Sequence, residues 1–120
     1  MQKTNIELDA QIVDVLEAHD IRVNGVYEQD GSYIAEIEFW SDAGEDMPLD
    51  IWCDGTPENF VEKFYNYASD FDADEHAQEL ISMRGQHGIP NSVRTLINDA
   101  EAIKAFLDAV AIELCAIKFK

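Results

Sequence analysis

Residues 54–72, DGTPENFVEKFYNYASDFD, constrain the fold more than any other part of this chain. Thr56 predicts a helix N-cap, because its hydroxyl can accept from a free backbone N–H of the first turn. Pro57 then falls on the first helical position, where a missing N–H costs nothing. Glu58 lies near the positive end of the helix dipole. Phe60, Val61, Phe64, Ala68 and Phe71 follow at helical spacing and share one face, flanked by Tyr65 and Tyr67. Aromatic side chains in such a stripe build a core far more often than a ligand box. Strand-like, very acidic segments precede this helix and helical segments follow it.

Upstream, Leu8, Ile12, Val13 and Leu16 form a stripe that predicts a helix over 6–19, capped by Asn5. His19 ends it, where a capping or surface role is expected and no second metal ligand has suitable spacing. Residues 21–28 and 32–41 alternate around Asp30-Gly31 and predict a hairpin. A two-residue turn at Asp30-Gly31 sets Val23 opposite Glu38 and Gly25 opposite Glu36. A three-residue loop, Gln29-Asp30-Gly31, sets Tyr27 by Tyr33, Gly25 by Ala35, Val23 by Ile37 and Ile21 by Phe39. The other face then pairs Arg22 with Glu38, Asn24 with Glu36 and Val26 with Ile34. Register follows the buried face, so the three-residue loop is expected.

An acidic loop, SDAGED, leads to a third strand over 47–54, with Pro48 at its start, where proline is tolerated. Leu49, Ile51 and Cys53 then join Val23, Ile37 and Phe39 on the core face. Trp40 and Trp52 fall on the opposite face amid carboxylates. Large exposed apolar patches are uncommon on monomers, so a helix, a partner chain or the N-terminal segment is expected to cover them. The alternative is an exposed aromatic anchor for binding.

Asp72 and Glu75 have capping-box spacing and open another helix that Gly85 ends. The run 70–75, DFDADE, fails as a calcium loop. Glu75 stands where the EF-hand needs glycine, and Ile81 stands where it needs a bidentate Glu. Residues 84–91, RGQHGIPN, form a loop; Arg84, His87 and Arg94 make the one small positive region. Ser92 caps a last helical region. The Asn98–Glu101 spacing predicts a break near Asn98, before a long helix lined by Ile103, Phe106, Leu107, Val110, Leu114 and Ile117. Lys118 and Lys120 suit its negative end. The expected architecture is a single α+β domain over 1–120. It has an N-terminal helix, a three-stranded antiparallel meander, and three or four C-terminal helices packed on one face.

Function is bounded mainly by charge. The chain of 120 residues carries a formal charge of −17. Between Arg22 and Lys63 no Lys or Arg occurs, while Glu28, Asp30, Glu36, Glu38, Asp42, Glu45, Asp46, Asp50, Asp54, Glu58 and Glu62 do. Such a field disfavours direct binding to nucleic acid or an anionic membrane and steers encounter with basic protein surfaces. The bland alternative is acidity for solubility alone. No apolar run reaches the roughly 18 residues that span a bilayer, and MQKTNIELDA has no signal-peptide core, so a cytoplasmic protein is expected. Cys53 and Cys115 are expected to be reduced and mostly buried. No catalytic, cofactor or metal motif is present, and the chain reads as a non-enzyme with no cofactor.

The run 54–72, continued by DEHAQE, RGQHGIP and SVRTLINDAEAIK, resembles uncharacterised small acidic proteins of bacterial mobile elements, over roughly residues 50–115. That resemblance implies no activity and no site residues. Antirestriction and anti-CRISPR DNA mimics come from the same settings and are similar in size and charge only. The leading expectation is therefore an acidic inhibitor of a nucleic-acid-binding host-defence protein. Its partner-binding residues would be Glu36, Glu38, Asp42, Glu45, Asp46, Asp50 and Asp54. The runner-up is a protein–protein interaction module centred on Trp40 and Trp52.

Overall fold

The computed structural model describes residues 4–5, 8–86 and 88–119. The elements run β1 (Thr4–Asn5), α1 (Ala10–Ala18), β2 (Arg22–Gln29), β3 (Ser32–Trp40), β4 (Asp46–Cys53), α2 (Pro57–Asp70), α3 (Ala73–Ser82) and α4 (Val93–Cys115). The expected antiparallel meander is β2–β3–β4, and the two-residue β1 adds an edge beside β2, giving the order β1-β2-β3-β4.

The caps form where local chemistry puts them. The Asn59 N–H donates to the Thr56 hydroxyl at 3.2 Å, the Glu75 N–H to Asp72 at 3.1 Å, and the Thr95 N–H to Ser92 at 3.2 Å. The first helix differs from expectation. It starts at Ala10, because the Asp9 carboxylate accepts from the Gln11 and Ile12 N–H groups. Asn5 is no cap; it pairs with Tyr27 in the sheet. The predicted break near Asn98 does not occur. Leu96, Asp99, Ala100, Ile103, Leu107, Val110, Ala111 and Leu114 form one unbroken buried stripe along α4, so packing overrides a local stop signal. Lys118 therefore lies beyond the helix, and His87 and Lys120 lie outside the described residues. Cys53 is half-buried, but Cys115 is exposed, contrary to expectation, at the last turn of α4.

The hairpin register combines both alternatives. Asp30 and Gly31 have φ of 56° and 79°. These are the left-handed values of the two-residue turn that best matches strand twist. Gln29 pairs with Ser32, Tyr27 with Ile34, Val26 with Ala35 and Gly25 with Glu36. Asn24 is then an extra residue in β2, and past it Val23 pairs with Ile37 and Arg22 with Glu38. The expected three-residue loop is thus wrong near the turn, and Val26 faces the core rather than the far side. The bulge restores the buried register farther on by letting Val23 and Val26 both point inward.

The inner face of the sheet carries Val23, Val26, Ala35, Ile37, Phe39, Met47, Leu49 and Ile51. These pack with Ile12 and Leu16 of α1, Phe60 and Phe64 of α2, and Ile103 and Leu107 of α4 in one core. Phe60, Phe64, Leu107 and Leu114 are completely or almost completely buried. The helices lie on this face, and α3 packs chiefly on α4.

Candidate functional site

Residues that pair across antiparallel strands share a face, so the ladder defines the outer surface. Tyr27, Ile34 and Trp52 lie in one row. Gly25, Glu36 and Asp50 form the next, then Arg22, Glu38 and Pro48, then Trp40 with Asp46. Six residues along β3 separate the rows of Ile34 and Trp40, about 20 Å at the usual strand rise. Ile34 is buried but lies outside the main core, consistent with shielding by its row-mates.

Trp40 and Trp52 are 54% and 53% exposed. Of the coverings expected from the sequence, a helix of this chain is ruled out, because none of the described helices lies over both indoles. The physical reason is the economy of apolar stripes. Those of α1, α2 and α4 are all spent on the inner face, and α3 pairs with α4.

The seven expected carboxylates separate into two groups. Glu36, Glu38, Asp46 and Asp50 share the outer face with both tryptophans, and Asp42 is exposed in the adjoining loop. Glu38 is almost fully buried, is paired with Arg22, and accepts from the Asn24 side-chain amide at 3.2 Å. Hydrogen bonds from Arg22, then Asn24, hold its carboxyl below the usual range. Asp46 goes the other way: desolvation, and then sharing a hydrogen bond with Glu38, pushes it up. The Arg22 guanidinium also lies over the Trp40 ring, 5.7 Å from its centroid. One cation thus serves a buried acid and an aromatic together.

Glu45 and Asp54 are engaged elsewhere. Glu45 pairs with His76 of α3 at 2.9 Å. Asp54 accepts from the Thr56 hydroxyl at 2.7 Å and the Thr56 N–H at 2.9 Å, which lowers its pKa and fixes the entry to α2. Neither belongs to the sheet face. A hollow of about 320 Å³ adjoins Trp40, with Phe39 and Phe106 in its wall and Asp42 beside it.

Sequence reasoning overlooked Asp99. It is 5% exposed on α4 and accepts the Ala43 N–H at 3.0 Å, tying down the acidic loop. The available signal was a carboxylate set at helical spacing between Leu96 and Ile103. Among the described residues, no group of three or more His, Cys, Asp or Glu side chains could hold a metal ion, and no helix is long and apolar enough to cross a membrane.

Comparison with protein-family models, with curated proteins and with solved structures returned no match for this chain.

Proposed function

We propose that this is a non-enzymatic acidic binding protein that docks a basic protein surface on the outer face of its sheet. The observation that carries the reading is the pair of half-exposed indoles at opposite ends of that face, with Glu36 and Asp50 between them. Indoles supply anchoring area, while carboxylates steer the encounter and set the orientation. The formal charge of −17 extends the steering field.

A narrower form of the proposal makes the partner a nucleic-acid-binding defence enzyme whose groove the carboxylates occupy in place of phosphates. The base-free interval between Arg22 and Lys63 favours it. Glu36, Asp42, Asp46 and Asp50 are the exposed or half-exposed acids on or beside this face; Glu38 is buried, and Glu45 and Asp54 lie off it.

The test uses a basic host protein captured at low salt and identified. The Trp40→Ala/Trp52→Ala and Glu36→Gln/Asp50→Asn double variants should each weaken its binding by about tenfold or more. The control Asp74→Asn/Glu79→Gln on α3 removes the same charge as the second variant and should leave affinity nearly unchanged. Equal loss in the control would mean that net charge, rather than this face, does the binding. Competition by duplex DNA for the captured protein separates the narrower form from the general one.

A further inference from the structure

The two edges of the sheet are finished differently. On one side β2 is partly covered by β1 and interrupted by the bulge at Asn24, devices that blunt an edge. On the other side β4 runs for eight residues in unbroken register with β3. Among the described residues no strand pairs with its outer side. The α2 helix meets β4 from the inner face, through the core residues Phe60 and Phe64.

Which backbone groups look out from that edge follows from the hairpin before it. The Ser41 N–H donates to the Glu45 carbonyl at 2.8 Å, so these two residues form a bonded pair. Bonded and non-bonded pairs alternate along an antiparallel ladder. Met47, Leu49, Ile51 and Cys53 therefore turn their backbone polar groups toward β3, while Asp46, Pro48, Asp50 and Trp52 turn theirs outward. Pro48 agrees with this assignment, because proline fits where the ladder asks for no N–H. The next outward donor, the Asp54 N–H, is closed by the Asn59 side chain at 2.9 Å. The three before it, at Asp46, Asp50 and Trp52, have no hydrogen-bond partner among the described residues. Their side chains are exposed on the outer face.

We propose that the β4 edge takes up an extended basic segment of a partner protein as a fifth strand of the sheet. From Asp46 to Trp52 the edge spans about 20 Å, room for a segment of about seven residues. Alternate side chains of the added strand fall beside Asp46, Asp50 and Trp52, and those between fall beside Met47, Leu49 and Ile51. Lys or Arg suits the first set, pairing with the carboxylates and lying on the indole. Aliphatic residues suit the second, where they lengthen the core face. Charge selects this occupant over a second copy of the chain. Self-pairing would set the edge acids of two molecules together, each molecule carrying −17. The proposal rests on the docking reading for the basic character of the partner, and adds its form: backbone bonds give affinity and the alternating side chains give selectivity.

The experiment follows amide exchange in the intact chain by two-dimensional NMR, with acetyl-Lys-Val-Arg-Val-Lys-Val-amide as the probe. In the free protein the Asp46, Asp50 and Trp52 amides should exchange about a hundredfold faster than those of Leu49 and Ile51. Saturating peptide should slow the three by about tenfold or more. Two modified peptides keep the charge and the side chains, one N-methylated at its basic residues and one at its valines. In a strand only one of these sets points at β4: the basic set in an antiparallel arrangement, the valine set in a parallel one. Methylation of that set should weaken binding by about tenfold or more, and methylation of the other should cost little. Three results would each overturn the proposal. They are edge amides already as slow as Leu49 in the free protein, no slowing with peptide, and equal binding of both methylated forms. Slowing that grows with protein concentration in the absence of peptide would assign the edge to a second copy, and overturn it too. Equal binding of all three peptides, lost in Trp40→Ala/Trp52→Ala, would remove strand addition alone and leave docking through side chains standing.

Discussion

The two faces of the sheet are made by the same strands and the same alternation, yet they meet different surroundings. On β4, Met47, Leu49 and Ile51 are buried beneath the helices, while Asp46, Pro48, Asp50 and Trp52 between them are exposed. On β3 the contrast is weaker, because Ile34 and Glu38 are buried on the outer side as well. The difference separates two jobs. The inner face supplies the main core, and the outer face is a polar and aromatic surface with a smaller structural share through buried Ile34 and Glu38. An exposed indole carries a risk of aggregation, which is the ground on which the docking role is proposed.

The largest effect should come from breaking that contrast on a single strand. Leu49→Ala should cost about 2–5 kcal/mol of stability, because it opens space in the core. Trp52→Ala, three residues away but on the water side, should cost under about 1 kcal/mol. Urea unfolding of both variants checks this; a comparable loss at Trp52 would make the outer face a second core.

Gly25→Ala probes how far the outer face is packed in its own right. A Cβ there would come 2.3 Å from the Tyr27 phenolic oxygen and 2.6 Å from its ring carbon. The ring must swing off the strand, with an expected loss of about 1 kcal/mol, readable in the same unfolding assay.

Smaller effects should follow pH. The folded Glu38 carboxyl lies below its ordinary value of 4.5. Its contribution is therefore fully present above that value and disappears as pH falls through the lower folded value. Asp46 is raised from its ordinary 3.8, so its contribution is present below that value and is lost as pH rises. Thermal melts at several pH values should show Glu38→Gln less stable and Asp46→Asn more stable than wild type at pH 7. The Asp46→Asn gain should vanish on acidification.

The smallest effect belongs to the loop. His76 is raised from 6.5, first by its hydrogen bond to Glu45 and against the pull of burial. The pair contributes fully below 6.5 and fades as pH rises through the elevated folded value. An NMR titration should show Glu45→Gln returning His76 toward its ordinary value.

What the sequence allowed depended on how local each cause is. The caps at Thr56, Asp72 and Ser92 were legible, because a cap is a bond between a side chain and an N–H three residues on. The meander and the faces of Leu49, Ile51, Trp40 and Trp52 were legible from alternation alone. The bulge at Asn24 was not. It resolves a conflict between the turn preferred by Asp30-Gly31 and the register preferred by Val23 and Ile37, and each signal read alone names a different pairing. The exposure of Trp40 and Trp52 was also hidden, since alternation assigns a face without saying whether a helix will lie over it. Asp99 escaped notice because its burial depends on the approach of Ala43 from a distant loop.

The placement of both indoles in water has an optical consequence. They are the only tryptophans in the chain, and each keeps about half its surface wet in the native state. Their emission should therefore lie toward that of a solvated ring, and unfolding should shift its colour only modestly. Capping of this sheet face by another molecule would move the emission to shorter wavelength, so the protein carries an internal dye for occupancy and a poor one for denaturation.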